Sequence, residues 1–397
     1  MAIAKKKAAK PAKPKRENVS DRTAIPSLVM AGLRDDLAAA KDEDAVFVSD
    51  YLRQDPITAW VSTNSFLLDC ALGYPKGYGL PLPSIVEIVG SEAAGKSSVA
   101  YAIMANIQGM GGWASLIDAE GMFTREYAML AGLDLDKDRF GYSQMSRLES
   151  AMITIQRTVE RHFALAPDMP LAVTLDSVAG CSVAAEQESP GEPARAIHAR
   201  ILARALRSGI TNQMYQRVNV DGDELLIGRP LAMIFINQLK STMATNPYQQ
   251  QMDSFGGKGL KYHARIRIQL ERRTILKDSE KDKTPAGFRC HVKILKNKVT
   301  SPYREVDFDF RFDSGIEDYF PVLNFMEDHD AIEKSGNRFV WKDRTYYPNA
   351  FRDFLKANPT DWLELRQQCL LAIDKAWGCH SLAITPPAVG DLELHEE

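Results

Sequence analysis

"SIVEIVGSEAAGKSSVAYAIM", residues 84–104, decides how the rest of the chain is read. "SIVEIVG" reads as a buried β-strand that ends on Gly90. Gly90 to Ser97 fit the pattern G-x-x-x-x-G-K-[ST], and Ser97 to Met110 read as a helix stopped by Gly111-Gly112. A strand, a glycine-bearing loop and a helix N-terminus in that order form an anion site, because backbone N–H groups and the helix dipole face the same point. The candidate nucleotide contacts are Gly90, Ser91, Glu92, Ala93, Ala94, Gly95, Lys96, Ser97 and Ser98. Lys96 is placed to reach the β- and γ-phosphates of ATP, and the Ser97 hydroxyl to bind Mg2+.

Further apolar runs follow: "WASLIDAE" (113–120), "LAVTLDS" (171–177) and "LAMIFINQ" (231–238), separated by helical stretches at 146–164 and 194–208. Apolar strands alternating with helices predict a parallel sheet covered on both faces. Polar residues at the carboxyl ends of such strands are where ligands bind. Asp176 is there a candidate Mg2+ carboxylate, or a residue that caps the next turn. Glu120 is the candidate that activates water, with Asp118 two residues earlier as a second carboxylate or as support. Gln238 is a γ-phosphate sensor or a polar strand end.

After residue 260 the pattern changes to strict alternation in "RIRIQL" (265–270), "FRCHVKIL" (288–295) and "VDFDFRF" (306–312). These predict antiparallel strands appended to the sheet, with a charged loop containing Pro285 between the first two. Residues 320–377 are richer in aromatics, and "FRDFLKANPTDWLELRQQCLLAI" predicts two helices broken at Pro359. The expected organisation is a basic tail (1–26), a helix-and-strand segment (27–60), a nucleotide-binding core (61–315), a small α/β domain (316–378) and an acidic tail (379–397).

Lys5, Lys6, Lys7, Lys10, Lys13, Lys15 and Arg16 crowd the first sixteen residues with no acid among them, while the whole chain carries −3. The body is therefore acidic, and the tail is either a nucleic-acid contact or a solvated aid to solubility. Five scattered cysteines with no C-x-x-C pair argue against a disulfide framework or a zinc site. No apolar run approaches the ~18 residues of a membrane span. The chain is expected to be cytoplasmic, associated with the nucleoid, and not bound to a membrane.

Two segments suggest contact with DNA. "LKSTMATNPYQQQMDSFGGKG" (239–259) is a long polar loop directly after Gln238. Loops of that length inside compact domains are usually functional or disordered. Met243, Tyr248 and Phe255, with Gly256 and Gly257, suit wedging and stacking against bases. "EQESPGEPAR" (186–195) leads into a helix on which Arg200, Arg204 and Arg207 share a face, either a stripe along phosphates or a solvated surface.

Taken together, "VSTNSFLLDCALGYPKGYGLPLPSIVEIVGSEAAGKSS", "LIDAEGMFTREYAMLAG", "LDSVAG", "FINQLK", "GGKGLKYHARIRI" and "VKILKNKVTSPYREVDF" resemble the RecA family of DNA strand-exchange recombinases. "AIEKSGNRFVWKD" and "FRDFLKANP" resemble its small C-terminal domain, so the likeness spans roughly residues 27–377. It implies a RecA-type P-loop ATPase core, with a parallel sheet extended by antiparallel strands and an N-terminal segment that docks on the next subunit. It also implies a helical filament on single-stranded DNA that pairs with homologous duplex DNA in recombinational repair. Carried over, Glu120 is the catalytic carboxylate and Gln238 the γ-phosphate sensor. Tyr127 stacks on adenine, Tyr262 packs into the adjacent protomer, and Lys296 and Lys298 of "KNK" reach the neighbour's ATP. Thr124 departs from the family's adenine-contacting aspartate, and 209–230 is an insertion carrying a turn at "VDGDE". Such divergence suits a phage-encoded or otherwise distant member. The other readings are a ring-forming DNA motor such as a replicative helicase, or a DNA-coating protein that uses ATP only for assembly.

Overall fold

The computed structural model describes residues 57–183, 194–220, 223–241, 252–254, 257–277 and 284–379. The basic tail, the docking segment up to residue 56, residues 184–193 and the acidic tail from residue 380 lie outside the described residues.

A short ribbon of β1 (Ala59–Val61) and β2 (Leu80–Leu82) flanks helix α1 (Phe66–Gly73). Strand β3 (Ser84–Gly90) follows, and every one of its residues is buried. The phosphate loop leads into α2 (Lys96–Gly109). Next come β4 (Trp113–Asp118), α3 (Arg125–Leu130), β5 (Phe140–Gln144), α4 (Leu148–Leu165) and β6 (Leu171–Asp176). On α4 the buried side chains are Leu148, Ala151, Met152, Ile155, Val159 and Phe163. Their three- and four-residue spacing makes one apolar stripe, which is why this stretch is helical and lies on the sheet.

Helix α5 (Ala194–Ala205) runs into a π-helical turn, Leu206–Ile210. Within 209–230, the segment expected to be an insertion, β7 (Tyr215–Val220) pairs with β8 (Asp223–Gly228) as a separate hairpin. Strand β9 (Leu231–Ser241), β10 (Met252–Ser254) and helix α6 (Gly257–His263) come next. The main sheet is completed by β11 (Ile266–Leu276), β12 (Gly287–Asn297), β13 (Glu305–Arg311) and β14 (Gly315–Glu317).

The strand order is β14-β13-β12-β11-β3-β9-β6-β4-β5, with β10 paired to β9. From β11 to β5 every pairing is parallel. Beyond β11 the pairings are antiparallel. This corrects one expectation: "RIRIQL" was expected to open the antiparallel extension, but β11 lies parallel to β3 and only its other edge meets β12 antiparallel. A second correction concerns 239–259. The chain does not leave the sheet at Leu239, because residues 239–241 pair with β10 and make a short ribbon at the foot of the loop.

Alternation along the central strands builds two cores. Val86 and Ile88, with Ala232, Ile234 and Ile236, join the cluster that contains α1 and α2. Ile85, with Leu231, Met233 and Phe235, joins the cluster that contains α4 and α5. Successive residues of one strand enter different clusters, so both faces of the sheet are covered.

After β14, helix α7 (Tyr319–Asp328) leads to a three-stranded sheet of β15 (Lys334–Ser335), β16 (Arg338–Trp341) and β17 (Arg344–Tyr346). Helices α8 (Pro348–Ala357) and α9 (Pro359–Trp377) close the described chain. Pro359 occupies the first turn of α9, where a missing N–H costs nothing.

Candidate nucleotide-binding and hydrolysis site

Strand register brings the candidate residues to one edge of the sheet. Gly90 lies opposite Gln238 across β3 and β9, and Asp118 lies opposite Asp176 across β4 and β6. Gly90, Asp118 and Asp176 each end a parallel strand, so the chain turns away there at one level and leaves a crevice, while β9 carries on past Gln238 to Ser241.

The phosphate loop has the backbone an anion needs. Gly95 has φ +87°, a left-handed value that a residue with a Cβ adopts only under strain, and Ala93 shares that region at φ +53°. These turns aim the first N–H groups of α2 into the crevice, and Gly95 supplies no side-chain cap to compete for them. Lys96 Nζ donates to the carbonyls of Gly90 at 3.3 Å and Ser91 at 2.5 Å. Burial holds its pKa below the ordinary lysine value, against the pull of Asp176 and Glu120.

Ser97 Oγ donates to Asp176 Oδ2 at 2.7 Å. Burial pushes the Asp176 carboxyl up to about 6, with Glu120 and Asp118 adding to the rise and the Ser97 bond opposing it. A hydroxyl and a carboxylate side by side are hard oxygen donors, too few for an all-protein cage. They fit Mg2+, which keeps several waters and shares a site with phosphate oxygens.

An open cleft of about 280 Å³ runs from Ser97, Ser98 and Asp176 past Asp118 and Glu120 to Phe123, Thr124 and Tyr127. Tyr127 is half-exposed there, its ring available to a base. The Thr124 hydroxyl donates to the Met122 carbonyl at 3.4 Å. Ser97, Ser98, Tyr127 and Asp176 are thus brought together around one crevice, with Asp118 and Glu120 between them.

Asp118 does the work of support. Its carboxylate accepts from the backbone N–H of Glu120 (3.0 Å), Gly121 (2.8 Å) and Phe123 (3.0 Å), and from Tyr142 Oη at 3.1 Å. The strand ends at Asp118, so Glu120 is placed by this turn rather than by strand alternation. Glu120 Oε1 accepts from the Ser177 hydroxyl.

Beneath the loop lies an arrangement the sequence reading missed. Glu87 of β3 is fully buried; its Oε2 meets Arg267 Nε of β11 at 2.5 Å and its Oε1 accepts from Asn237 Nδ2 of β9 at 2.9 Å. Asn237 Oδ1 in turn accepts from the Gln238 backbone N–H at 3.0 Å. The only available signal was a carboxylate inside the apolar run "SIVEIVG".

The lysine pair divides. Lys296 Nζ donates to the Lys261 carbonyl at 2.7 Å and the Tyr262 carbonyl at 2.9 Å, at the C-terminal end of α6. Burial, with Lys298 and Arg267 nearby, lowers its pKa to about 8. A register shift in β12 precedes Lys296, the strand ends at Asn297, and Lys298 lies exposed beyond it. Tyr262 is 77% exposed, an unusual position for so large a ring.

Among the DNA candidates, Arg200 and Arg204 are exposed on α5. Gly257 begins α6 against that helix; a Cβ there would come 2.8 Å from the Ala199 Cβ. Met243, Tyr248, Phe255 and Gly256 lie outside the described residues. No helix among the described residues is long and apolar enough to cross a membrane.

A phosphate loop on a central parallel strand, a Ser–Asp pair beside it and a carboxylate at the next strand end define a P-loop ATPase core. The RecA N-terminal domain family matches residues 51–317. A Protein RecA from Nitratiruptor sp. is 33% identical over 346 residues, covering 86% of this chain and 90% of its own. One from Campylobacter hominis is 31% identical over 81% of this chain and 85% of its own, and one from Mycobacterium avium 34% identical over 74% and 76%. The chain belongs to the RecA family: it is a nucleotide-binding RecA-type recombinase and a DNA-dependent ATPase.

Proposed function

We propose that this recombinase assembles as a filament on single-stranded DNA, with ATP and Mg2+ at each phosphate loop, and pairs that strand with homologous duplex DNA in repair and the SOS response. The observation that carries this reading is the place of Gln238. It lies opposite Gly90 in the sheet and three residues before the end of β9, whose last residues form the ribbon at the foot of the candidate DNA loop. A side chain that meets the γ-phosphate there pulls on the strand that leads to DNA.

In this reading Lys96 and the N–H groups of residues 90–98 hold the phosphates, and Tyr127 covers the base. Ser97 and Asp176 hold Mg2+, which would neutralise charge on the β- and γ-phosphate oxygens. Glu120 accepts a proton from water as the water oxygen bonds to the γ-phosphorus and the bond to the β–γ bridging oxygen breaks. Lys296 and Lys298 of the next protomer stabilise the charge on the transferring group. Lys296 then exchanges the carbonyls that end α6 for phosphate oxygens, which links Tyr262 and the subunit contact to nucleotide. Arg200, Arg204, Gly257 and the loop carrying Met243, Tyr248, Phe255 and Gly256 meet the DNA. Residues 61–315 serve as the ATPase core and 316–378 as a small accessory domain, and the protein works in the cytoplasm on the nucleoid.

Electron microscopy with single-stranded DNA and a slowly hydrolysed ATP analogue tests this. Open helical filaments are expected; closed rings would replace the reading with a ring-forming motor.

A further inference from the structure

We propose that the turn from Ser177 to Gly180 positions the catalytic carboxylate: the Ser177 hydroxyl orients Glu120, and the missing side chain of Gly180 makes the space it occupies. The inference rests on the reading of Glu120 as the base and adds how that base is aimed.

The hydrogen bonds leave one arrangement. The Gly180 backbone N–H donates to Ser177 Oγ at 3.1 Å. A hydroxyl has one proton, and an ionised carboxylate only accepts. The Ser177 proton therefore goes to Glu120 Oε1, and Oε2 keeps its lone pairs for water. Ser177 is 2% exposed, so this donor is not exchanged with solvent.

Gly180 lies directly against the Glu120 side chain. A Cβ there would lie 2.5 Å from Glu120 Cγ, 3.1 Å from its Oε1 and 3.3 Å from its Cδ. Those nearest atoms all belong to the Glu120 side chain, so any added methyl group displaces it and little else.

The turn and the two residues after it are held by hydrogen bonds to one strand, one helix and one loop. The Val178 N–H donates to the Ile236 carbonyl of β9 at 2.9 Å, one residue before Asn237. His198 Nε2 of α5 donates to the Cys181 carbonyl at 2.8 Å. The Ser182 N–H donates to the Ser146 carbonyl at 2.7 Å. The support of the base is thus anchored to the strand carrying Gln238 and to the helix carrying Arg200 and Arg204. A merely local turn would need none of these anchors.

The test compares Ser177→Ala, Gly180→Ala and Glu120→Gln in the full chain with saturating single-stranded DNA. ADP affinity is read by calorimetry and hydrolysis by steady-state turnover. Ser177→Ala and Gly180→Ala are each expected to lower kcat about tenfold while KM for ATP, ADP affinity and Tm stay at wild-type values. In the Glu120→Gln background neither is expected to lower the residual rate further, because the group they aim is gone. If Glu120→Gln is inactive and both other variants turn over at the wild-type rate, the positioning role is overturned and the base assignment stands. An equal loss from either variant in the Glu120→Gln background also overturns it. If Glu120→Gln itself hydrolyses normally, the base assignment and the positioning role fall together. Should Ser177→Ala fail to fold, Gly180→Ala decides alone.

Discussion

Replacing Glu87 by Gln removes one charge from a site that water does not reach. The Glu87 side chain is 0% exposed and that of Arg267 is 15% exposed, with 2.5 Å between Nε and Oε2. Gln is almost the same size and can still accept from Asn237, so packing is preserved. What is lost is the counter-charge, and in its place an amide N–H group faces a guanidinium that can only donate. Breaking a buried ion pair from one side costs about 3–5 kcal/mol, because the remaining charge is left unpaired. Arg267 keeps some contact with solvent, so the lower end, about 3 kcal/mol, is expected. Against total stabilities of about 5–15 kcal/mol this is a large fraction. With a urea m-value of about 3 kcal/mol/M, the midpoint should fall by about 1 M. Equilibrium unfolding of nucleotide-free wild-type and Glu87→Gln protein measures it. Replacing both partners with apolar residues, Glu87→Leu with Arg267→Met, should recover much of the loss. A midpoint within about 0.3 M of wild type for Glu87→Gln would refute the reasoning, since the pair would then contribute nothing.

Lys96→Ala should abolish nucleotide-dependent DNA binding, whereas Glu120→Gln should keep that binding and lose hydrolysis by about a hundredfold or more; gel-shift and turnover assays separate the two. A Lys296→Ala/Lys298→Ala protein should bind ATP as a monomer but lack DNA-stimulated hydrolysis. Mixing it with Lys96→Ala protein should restore some activity, and no restoration in mixed filaments would place the whole site in one chain. The carboxyls of Asp69 and Asp176 are raised by burial to about 6 and that of Asp318 to about 7. Between pH 4 and 7 the folded state therefore binds protons that the unfolded state does not, so these groups stabilise the nucleotide-free protein as pH falls through that window. Its Tm should rise from pH 7.5 to 5.5, and a steady fall would contradict those raised values.

The sheet and its ligand edge were legible because the signals are local. Gly90 to Ser97 carry the loop within eight residues, and Asp176 and Gln238 mark themselves as the polar residues that close the apolar runs "LAVTLD" and "LAMIFINQ". The direction of β11 was not legible. Alternation in "RIRIQL" reports which face is buried, but direction is decided by the path through α6 from β9, which the pattern does not encode. Glu87, Asn237 and Arg267 come from three strands far apart in sequence, and only pairing makes them neighbours. The Ser177 turn escaped for the opposite reason, since a serine after a strand reads as an ordinary turn residue.

The central claim is ATP-dependent exchange of homologous strands, and a three-strand reaction tests it most directly. The protein is mixed with circular single-stranded DNA, linear duplex DNA of the same sequence, Mg2+ and ATP, and the products are resolved on a gel. The account predicts joint molecules and then nicked circles, only with ATP and only when the sequences match, and none from Lys96→Ala protein. Unwinding of a duplex regardless of homology, or equal product without ATP, would contradict it.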